Sequence, residues 1–350
     1  MLNFKKILKI IQNIMSTTYQ KQNERIYWVD ALRFIAMFLV YIGHLGPAAG
    51  RIYGFVYLFH VPLFFFISGL FYKEGSKIVE TIKVSFTKLV LPYFYYSLLS
   101  LGVYVLFLQK DVSTLPALLI QLIEAKRNFI EYAPQLWFLP CLFFVIVLFS
   151  LLQRFVKSKV LIMAAVTVLM ALTIFAPQNP VSYSPGLPYG LDSALYYIFW
   201  FALGFCMKGS FIIYFNHNGT AQKIITTLCG AFALLCFFGL HHHYANALTD
   251  IIGGKAYVLV WTLPTLVLFI ACIPLAKQLA NIHAVRFLGS NTLFLCGYEA
   301  IAKISFITFI GIAGHSLNIG DEYYTVIYIS VLMLILYKVK SVIDFNKSKY

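Results

Sequence analysis

Apolar residues in this chain fall into ten runs separated by short polar connectors, at roughly 28–46, 53–72, 89–108, 136–152, 159–177, 190–208, 222–240, 257–275, 287–311 and 323–338. Each is close to the about 20 residues that an α-helix needs to cross the hydrocarbon core of a bilayer. Within the runs the apolar positions are continuous and do not alternate with period two, which argues against a β-barrel. The pattern predicts an all-α, polytopic integral membrane bundle of about ten transmembrane helices. The boundaries give a cytoplasmic amphipathic segment at 1–26, one membrane domain at 27–340 and a cytoplasmic tail at 341–350.

Composition strengthens this reading. The chain has 350 residues, of which 61% are hydrophobic and only 11% charged. A soluble domain of that length cannot bury so much apolar surface, so lipid must solvate most of it. The formal net charge of +14 would suit a nucleic-acid partner. The basic residues lie in short connectors rather than on one polar surface, so no nucleic acid is expected. Placing both termini in the cytoplasm puts twenty Lys and Arg in inner segments and five in outer ones, with Arg33 and Lys303 inside spans. That four-to-one bias alternates correctly along the chain and supports the count of spans and the cytoplasmic termini. All six cysteines fall inside apolar runs without a CxxC pair, so neither a disulfide nor a zinc site is expected.

The first run carries an unusual burden. In "WVDALRFIAMFLVYIGH" (28–44), Asp30, Arg33 and His44 are ionisable. Arg33 and His44 are eleven positions apart, about three full helical turns, so they share a face. Asp30 lies three positions before Arg33, within side-chain reach. The axial separation from Arg33 to His44 is about 16 Å, roughly half of the hydrocarbon core. Intramembrane ionisable groups are costly and commonly face a cavity or a partner. Asp30 can hold the Arg33 guanidinium in one orientation, Arg33 suits a phosphate-bearing anion, and His44 suits proton transfer from a hydroxyl near neutral pH. Coenzyme A, with a phosphate-rich head and a long thiol arm, has the shape to run along such a stripe. The structural alternative is that Arg33 snorkels to the headgroups and His44 caps a helix before Gly46-Pro47.

Several segments together resemble one known family. "VDALRFIAMFLVYIGH" (29–44) is similar to the first-span signature of the membrane acyltransferase-three family, in which Arg is followed by ten residues and then His. "FHVPLFFFISGLFY" (59–72) resembles its second span, with Pro62, Phe65, Ser68 and Gly69. "FTKLVLPYF" (86–94) resembles the start of its third, "QLWFLPCLF" (135–143) a later Trp-Phe segment, and "FLGSNTLFLCGYEA" (287–300) a late Gly-Asn-Thr-Leu segment. The resemblance implies transfer of an acyl group, usually acetyl, from cytoplasmic acyl-CoA to a sugar hydroxyl. Commonly the acceptor is a bacterial surface polysaccharide, such as a capsule or exopolysaccharide, or its lipid-linked precursor. It implies His44 as the catalytic histidine and Arg33 as the cofactor-side arginine. Two positions depart from the pattern: Lys88 stands where many relatives have Arg, and Gly297-Tyr298-Glu299 where many have a His.

The expected site therefore comprises catalytic His44 with Asp30, a donor-binding pair of Arg33 and Lys88, and acceptor-side His60, Trp137 and Glu299. His60 either assists the acceptor or is a helix-end histidine bonded to a backbone carbonyl. Trp137 is a sugar platform or an interfacial anchor. Glu299 and Lys303, four apart, can form an intramembrane ion pair. His241, His242 and His243 are adjacent, lack a carboxylate or cysteine at ligand spacing, and read as a solvated outer loop rather than a metal site. The residues and the resemblance together point to an acetyl-CoA-dependent O-acyltransferase without a metal in the bacterial cytoplasmic membrane. Its partners are a glycan or lipid-linked acceptor and membrane lipids, with self-association left open. The rival is a transporter or flippase of a glycan or lipid-linked sugar that uses the Arg33–His44 pair as an ion path.

Overall fold

A computed structural model describes residues 25–75, 77–109, 111–175, 186–217, 219–240, 260–312 and 321–347. The amphipathic segment at the N-terminus, the His241–His243 run, and most of the outer loop at 176–190 lie outside the described residues.

Every regular element among the described residues is helical. The helices are α1 (Tyr27–Gly43), α2 (Arg51–Tyr57), α3 (His60–Leu70), α4 (Ile78–Ser85), α5 (Leu91–Phe107), α6 (Leu115–Glu124), α7 (Phe138–Phe155) and α8 (Lys159–Phe175). There follow α9 (Leu191–Asn216), α10 (Thr220–Phe237), α11 (Thr262–Ala271), α12 (Ile273–Leu279), α13 (His283–Ser290), α14 (Thr292–Ile312) and α15 (Glu322–Lys347). Among the described residues, eight helical segments are long and apolar enough to cross a membrane. The other two apolar runs form α1 and α8, each of 17 residues. The protein is thus an all-helical, multi-pass membrane bundle.

α1 lies at the centre. Twelve of its residues are buried, Asp30 among them, and it is packed by α3, α12, α13, α14 and α15. It stops at Gly43 because Gly46 (φ 63°) and Pro47 follow, and a proline ring blocks the continuing turn. His44 therefore sits at the C-terminal cap, inside the bundle. The second run is split: Phe59, at φ −155°, interrupts the chain between α2 and α3, so His60 opens a new helix. Pro62 is tolerated in the first turn of α3, where an N–H has no intrahelical partner to lose.

Two glycines decide how closely the bundle closes. A Cβ on Gly69 of α3 would overlap the Phe201 carbonyl of α9, and one on Gly204 of α9 would overlap the Phe66 carbonyl of α3. Small residues at membrane helix contacts let backbones approach where no hydrophobic effect drives association. A third close approach puts Gly289 of α13 against the Asp30 carbonyl, which fixes the Gly-Ser-Asn-Thr-Leu segment (289–293) beside the charged start of α1.

Candidate active site

Two irregular turns help to shape a cavity beside α1. The span from Ile78 to Phe107 is interrupted by a π-helical turn, Phe86–Val90, just before Pro92. Such turns aim side chains out of helical register and recur at functional sites. Here Leu89 faces the cavity while Lys88, one position before it, is exposed. The 3₁₀ turn Pro134–Trp137 brings Gln135 and Trp137 to the cavity lining before α7 begins.

The cavity has a volume of about 210 Å³. Arg33, His44, His60 and Trp137 all line it, together with Gln135 and Ser68. The face of α1 deduced from helical spacing therefore does look onto one internal space, with Arg33 and His44 both on its wall. The rest of the lining is largely aliphatic and aromatic, and among the described residues no carboxylate is part of it.

Arg33 is held from two sides. Asp30 accepts hydrogen bonds from Arg25 Nε at 2.6 Å and from Arg33 Nη1 at 3.4 Å. The Arg33 guanidinium carbon lies 4.4 Å from the Phe71 ring centroid, a cation–π contact. The buried carboxylate of Asp30 thus serves two arginines, and that fixes the direction in which Arg33 presents its donors.

His44 is oriented by a residue from the far end of the chain. Its Nδ1 lies 2.7 Å from Glu299 Oε1. Glu299 is 1% exposed and sits behind the imidazole instead of on the cavity wall. The same Oε1 accepts a hydrogen bond from Lys303 Nζ at 2.8 Å, and Lys303 also reaches the Tyr41 carbonyl at 3.4 Å. An Nδ1–H donating to a carboxylate leaves the lone pair on Nε2. The arrangement is a base with its tautomer fixed, next to a cavity.

His60 has the backbone-carbonyl partner that a helix-end histidine was expected to find. Its Nδ1 donates to the Val56 carbonyl at 2.6 Å, and the ring also lines the cavity. The neighbouring Tyr57 ring meets it edge-on at 5.0 Å. Trp137 lines the cavity, with its ring 6.1 Å from Tyr197, which in turn stacks on Phe65 at 4.5 Å.

Sequence reasoning missed two members of the site. One is the His44–Glu299 bond. The signal was present, since two spans each held an ionisable group in need of a partner, but the pairing of α1 with α14 is tertiary information. The other is Gln135, which is 3% exposed and lines the cavity. Its Nε2 donates to the Cys296 carbonyl at 2.9 Å. Its Oε1 is buried with no hydrogen-bond partner among the described residues. A buried acceptor left unmade is costly, so a donor from a ligand fits there.

A histidine bonded to a buried carboxylate and an anchored arginine thus line one cavity within the bundle. A family model described as an acyltransferase domain, that of acyltransferase family 3, matches residues 26–295. That is most of the chain, and the protein belongs to this family of membrane acyltransferases. A search of curated proteins and a search of solved structures each returned no match.

Proposed function

We propose that this acyltransferase is an O-acyltransferase that moves an acyl group, acetyl by preference, from acyl-CoA to a sugar hydroxyl. The acceptor class is a bacterial surface polysaccharide or its lipid-linked precursor, and the setting is the cytoplasmic membrane with both termini in the cytosol. The observation that carries the reading is the placement of His44 on the cavity wall, clamped by Glu299 at 2.7 Å, with Arg33 lining the same cavity.

The residues fit the donor. Arg33, steadied by Asp30, offers a fixed guanidinium for a phosphate. The exposed Lys88 adds a second cation within the π turn. The largely apolar lining suits a thin pantetheine arm. An acyl-CoA supplies an acyl group activated as a thioester, together with a thiol leaving group.

The protein's own part is proton handling and orientation. His44 Nε2 takes the proton from the acceptor hydroxyl as its oxygen bonds to the acyl carbon. The carbon–sulfur bond breaks, and the same proton passes from His44 to the leaving sulfur. One ester and one thiol form, and no net proton is gained or lost. Glu299 keeps the imidazole in the correct tautomer and stabilises its protonated form while the proton is held. Lys303, sharing the same carboxylate oxygen, offsets the cost of a buried anion when His44 is neutral. Gln135 Oε1 is placed to accept a hydrogen bond from a second acceptor hydroxyl. Trp137 offers an aromatic face for a sugar ring.

The test is transfer of label from radiolabelled acetyl-CoA to extracted glycan by the purified protein. Wild type transfers label and His44→Ala does not. Normal transfer by His44→Ala would overturn the mechanism. Membership of an acyltransferase family does not favour the transporter reading. That reading would require net movement of sugar without donor turnover.

A further inference from the structure

Three polar side chains on the cavity have their protons already committed to the protein. His60 Nδ1 lies 2.6 Å from the Val56 carbonyl. A carbonyl only accepts, so the proton of the neutral ring is on Nδ1 and Nε2 keeps a lone pair. His44 Nδ1 lies 2.7 Å from Glu299 Oε1, and by the same argument its Nε2 is an acceptor. Gln135 directs its amide N–H at the Cys296 carbonyl at 2.9 Å, and its Oε1 is buried without a hydrogen-bond partner among the described residues.

The anchors of these three groups adjoin. A Cβ on Gly43, next to His44, would lie 3.6 Å from His60 Nε2. Cys296, which holds Gln135, and Glu299, which holds His44, are three positions apart on α14, one turn along the same helix face. His44, His60, Gln135 and Cys296 all line the cavity. The protein's own hydrogen bonds therefore set all three acceptors before a ligand arrives.

Acceptors call for donors. A buried acceptor left unmade is costly, and three of them favour a ligand that brings several O–H groups. A sugar with free hydroxyls does so. An ionised carboxylate or phosphate brings lone pairs only, and it finds no hydrogen on His44 Nε2, His60 Nε2 or Gln135 Oε1. Among the described residues, the only lysine or arginine lining the cavity is Arg33, which the reading above gives to the phosphates of the donor. The two imidazoles also differ in their backing. The Glu299 carboxylate can stabilise a protonated His44, whereas the Val56 carbonyl brings His60 no counter-charge. His44 is therefore the base, and His60 is the ring that holds a hydroxyl.

We infer that the acceptor is an uncharged sugar that keeps at least two hydroxyls free besides the one that reacts, and that His60 Nε2 accepts a hydrogen bond from one of them while Gln135 Oε1 accepts from another. The inference rests on the acyl-transfer reading above and names the substrate class for it. It makes His60 a specificity-determining residue.

The experiment uses the full-length protein and radiolabelled methyl glycosides of glucose, galactose and mannose, each with its uronate form. Binding is measured by equilibrium dialysis with coenzyme A present, which occupies Arg33 and carries no acyl group to transfer. At least one neutral glycoside binds, and its uronate binds more weakly. The tightest neutral glycoside is then compared with its monodeoxy forms. Each hydroxyl that meets a protein acceptor leaves it unmade when removed, so at least two of these forms bind about fivefold weaker. His60→Leu removes the same contact as one of them. It weakens the intact glycoside by about fivefold, and that deoxy form shows no further loss in it. The Val56 carbonyl keeps its bond from the Phe59 N–H at 3.2 Å, so the variant leaves no carbonyl without a partner. His60→Gln, which keeps an acceptor oxygen, retains part of the affinity. Binding of no neutral glycoside, a uronate as tight as its parent, or losses that add in full for every deoxy form overturns the inference.

Transfer from labelled acetyl-CoA to the same glycosides is measured next. A His60→Leu protein with a raised KM for acetyl-CoA and an unchanged KM for the saccharide would assign these acceptors to the amides of the donor, against the inference. Selective binding with no transfer to any glycoside counts against the acyl-transfer reading alone. Transfer that is indifferent to the deoxy positions counts against the inference alone.

Discussion

Glu299 Oε1 accepts hydrogen bonds from His44 Nδ1 at 2.7 Å and from Lys303 Nζ at 2.8 Å, joining the first apolar run to the ninth across 255 positions of sequence. One oxygen thus fixes a tautomer on one side and meets a neutralising charge on the other. Its partner Oε2 has no hydrogen bond among the described residues. The carboxylate is therefore committed to the imidazole and the ammonium through a single atom, and the geometry of His44 depends on it.

Removing the base and removing its clamp give different kinetic signatures. His44→Ala lowers kcat by about 10²–10⁴-fold, the span expected of general-base catalysis, with KM for acetyl-CoA little changed. Glu299→Gln keeps the shape and avoids leaving a void, but removes the charge that supports the protonated ring. It lowers kcat by about 10²-fold with both KM values near wild type. Steady-state transfer of label distinguishes the two. A Glu299→Gln enzyme with wild-type kcat would show that the contact is purely structural.

Arg33 and Lys88 sit in different surroundings, so their loss differs in size. Arg33 lines the cavity and is held by Asp30 and Phe71, whereas Lys88 is exposed. A charge contact in a partly dry site contributes more than one in water. Arg33→Gln raises KM for acetyl-CoA by about tenfold. Lys88→Gln raises it by about twofold, and that smaller effect fades as salt is added. Asp30→Asn, which frees Arg33 while leaving it charged, falls between them. Donor titrations of the three variants at low and at 0.5 M salt (about 4 Å of screening length) give the ranking. A larger effect from Lys88 than from Arg33 would move the donor head outside the cavity.

Gln135 offers the acceptor side its own test. Its Nε2 bond to Cys296 holds the amide in place while Oε1 remains for a ligand. Gln135→Glu keeps the size and an acceptor oxygen but adds a charge beside His44, so it disturbs the base. Gln135→Leu removes both hydrogen bonds, and the loss of one substrate bond is worth about 1 kcal/mol. Gln135→Leu therefore lowers kcat/KM for the saccharide by roughly fivefold to tenfold and leaves the donor KM unchanged. The measurement is kcat/KM for each substrate with the other held saturating.

Much of this was legible in the sequence. Where they are described, the apolar runs coincide with helical segments, because apolar length is a local property that lipid imposes. The Arg33–His44 stripe was also legible, since helical spacing alone puts both on one face. Glu299 was legible as a partner of Lys303, one turn away on the same helix, and was expected on the acceptor side, whereas it is bonded to His44 and is not among the residues lining the cavity. Its bond to His44 required the packing of α14 on α1, which no periodicity encodes. Gln135 lies on a 3₁₀ turn, where side-chain direction follows no simple repeat. Lys88 read as a site residue by its place in the sequence, yet the π turn carries Leu89 to the cavity and leaves Lys88 exposed.

The glycine pair at the α3–α9 crossing gives a test of the fold that is independent of chemistry. Gly69 and Gly204 each press a bare Cα against a carbonyl of the other helix. Backbone cannot swing aside as a side chain can, so alanine at either position must separate the helices. Overpacking a tight contact costs about 1–3 kcal/mol, and separation here would also disturb Phe65 and Tyr197, which stack at 4.5 Å beside Trp137. Gly69→Ala and Gly204→Ala therefore each lower the thermal midpoint in detergent by several degrees and reduce transfer activity together with it. Gly54→Ala is the matched control: its added Cβ meets nothing within 4 Å, and a helical Gly→Ala change gains about 0.5–1 kcal/mol from propensity alone. Its midpoint stays level or rises. A Gly204→Ala protein as stable as wild type would show that α3 and α9 do not meet in the way described here.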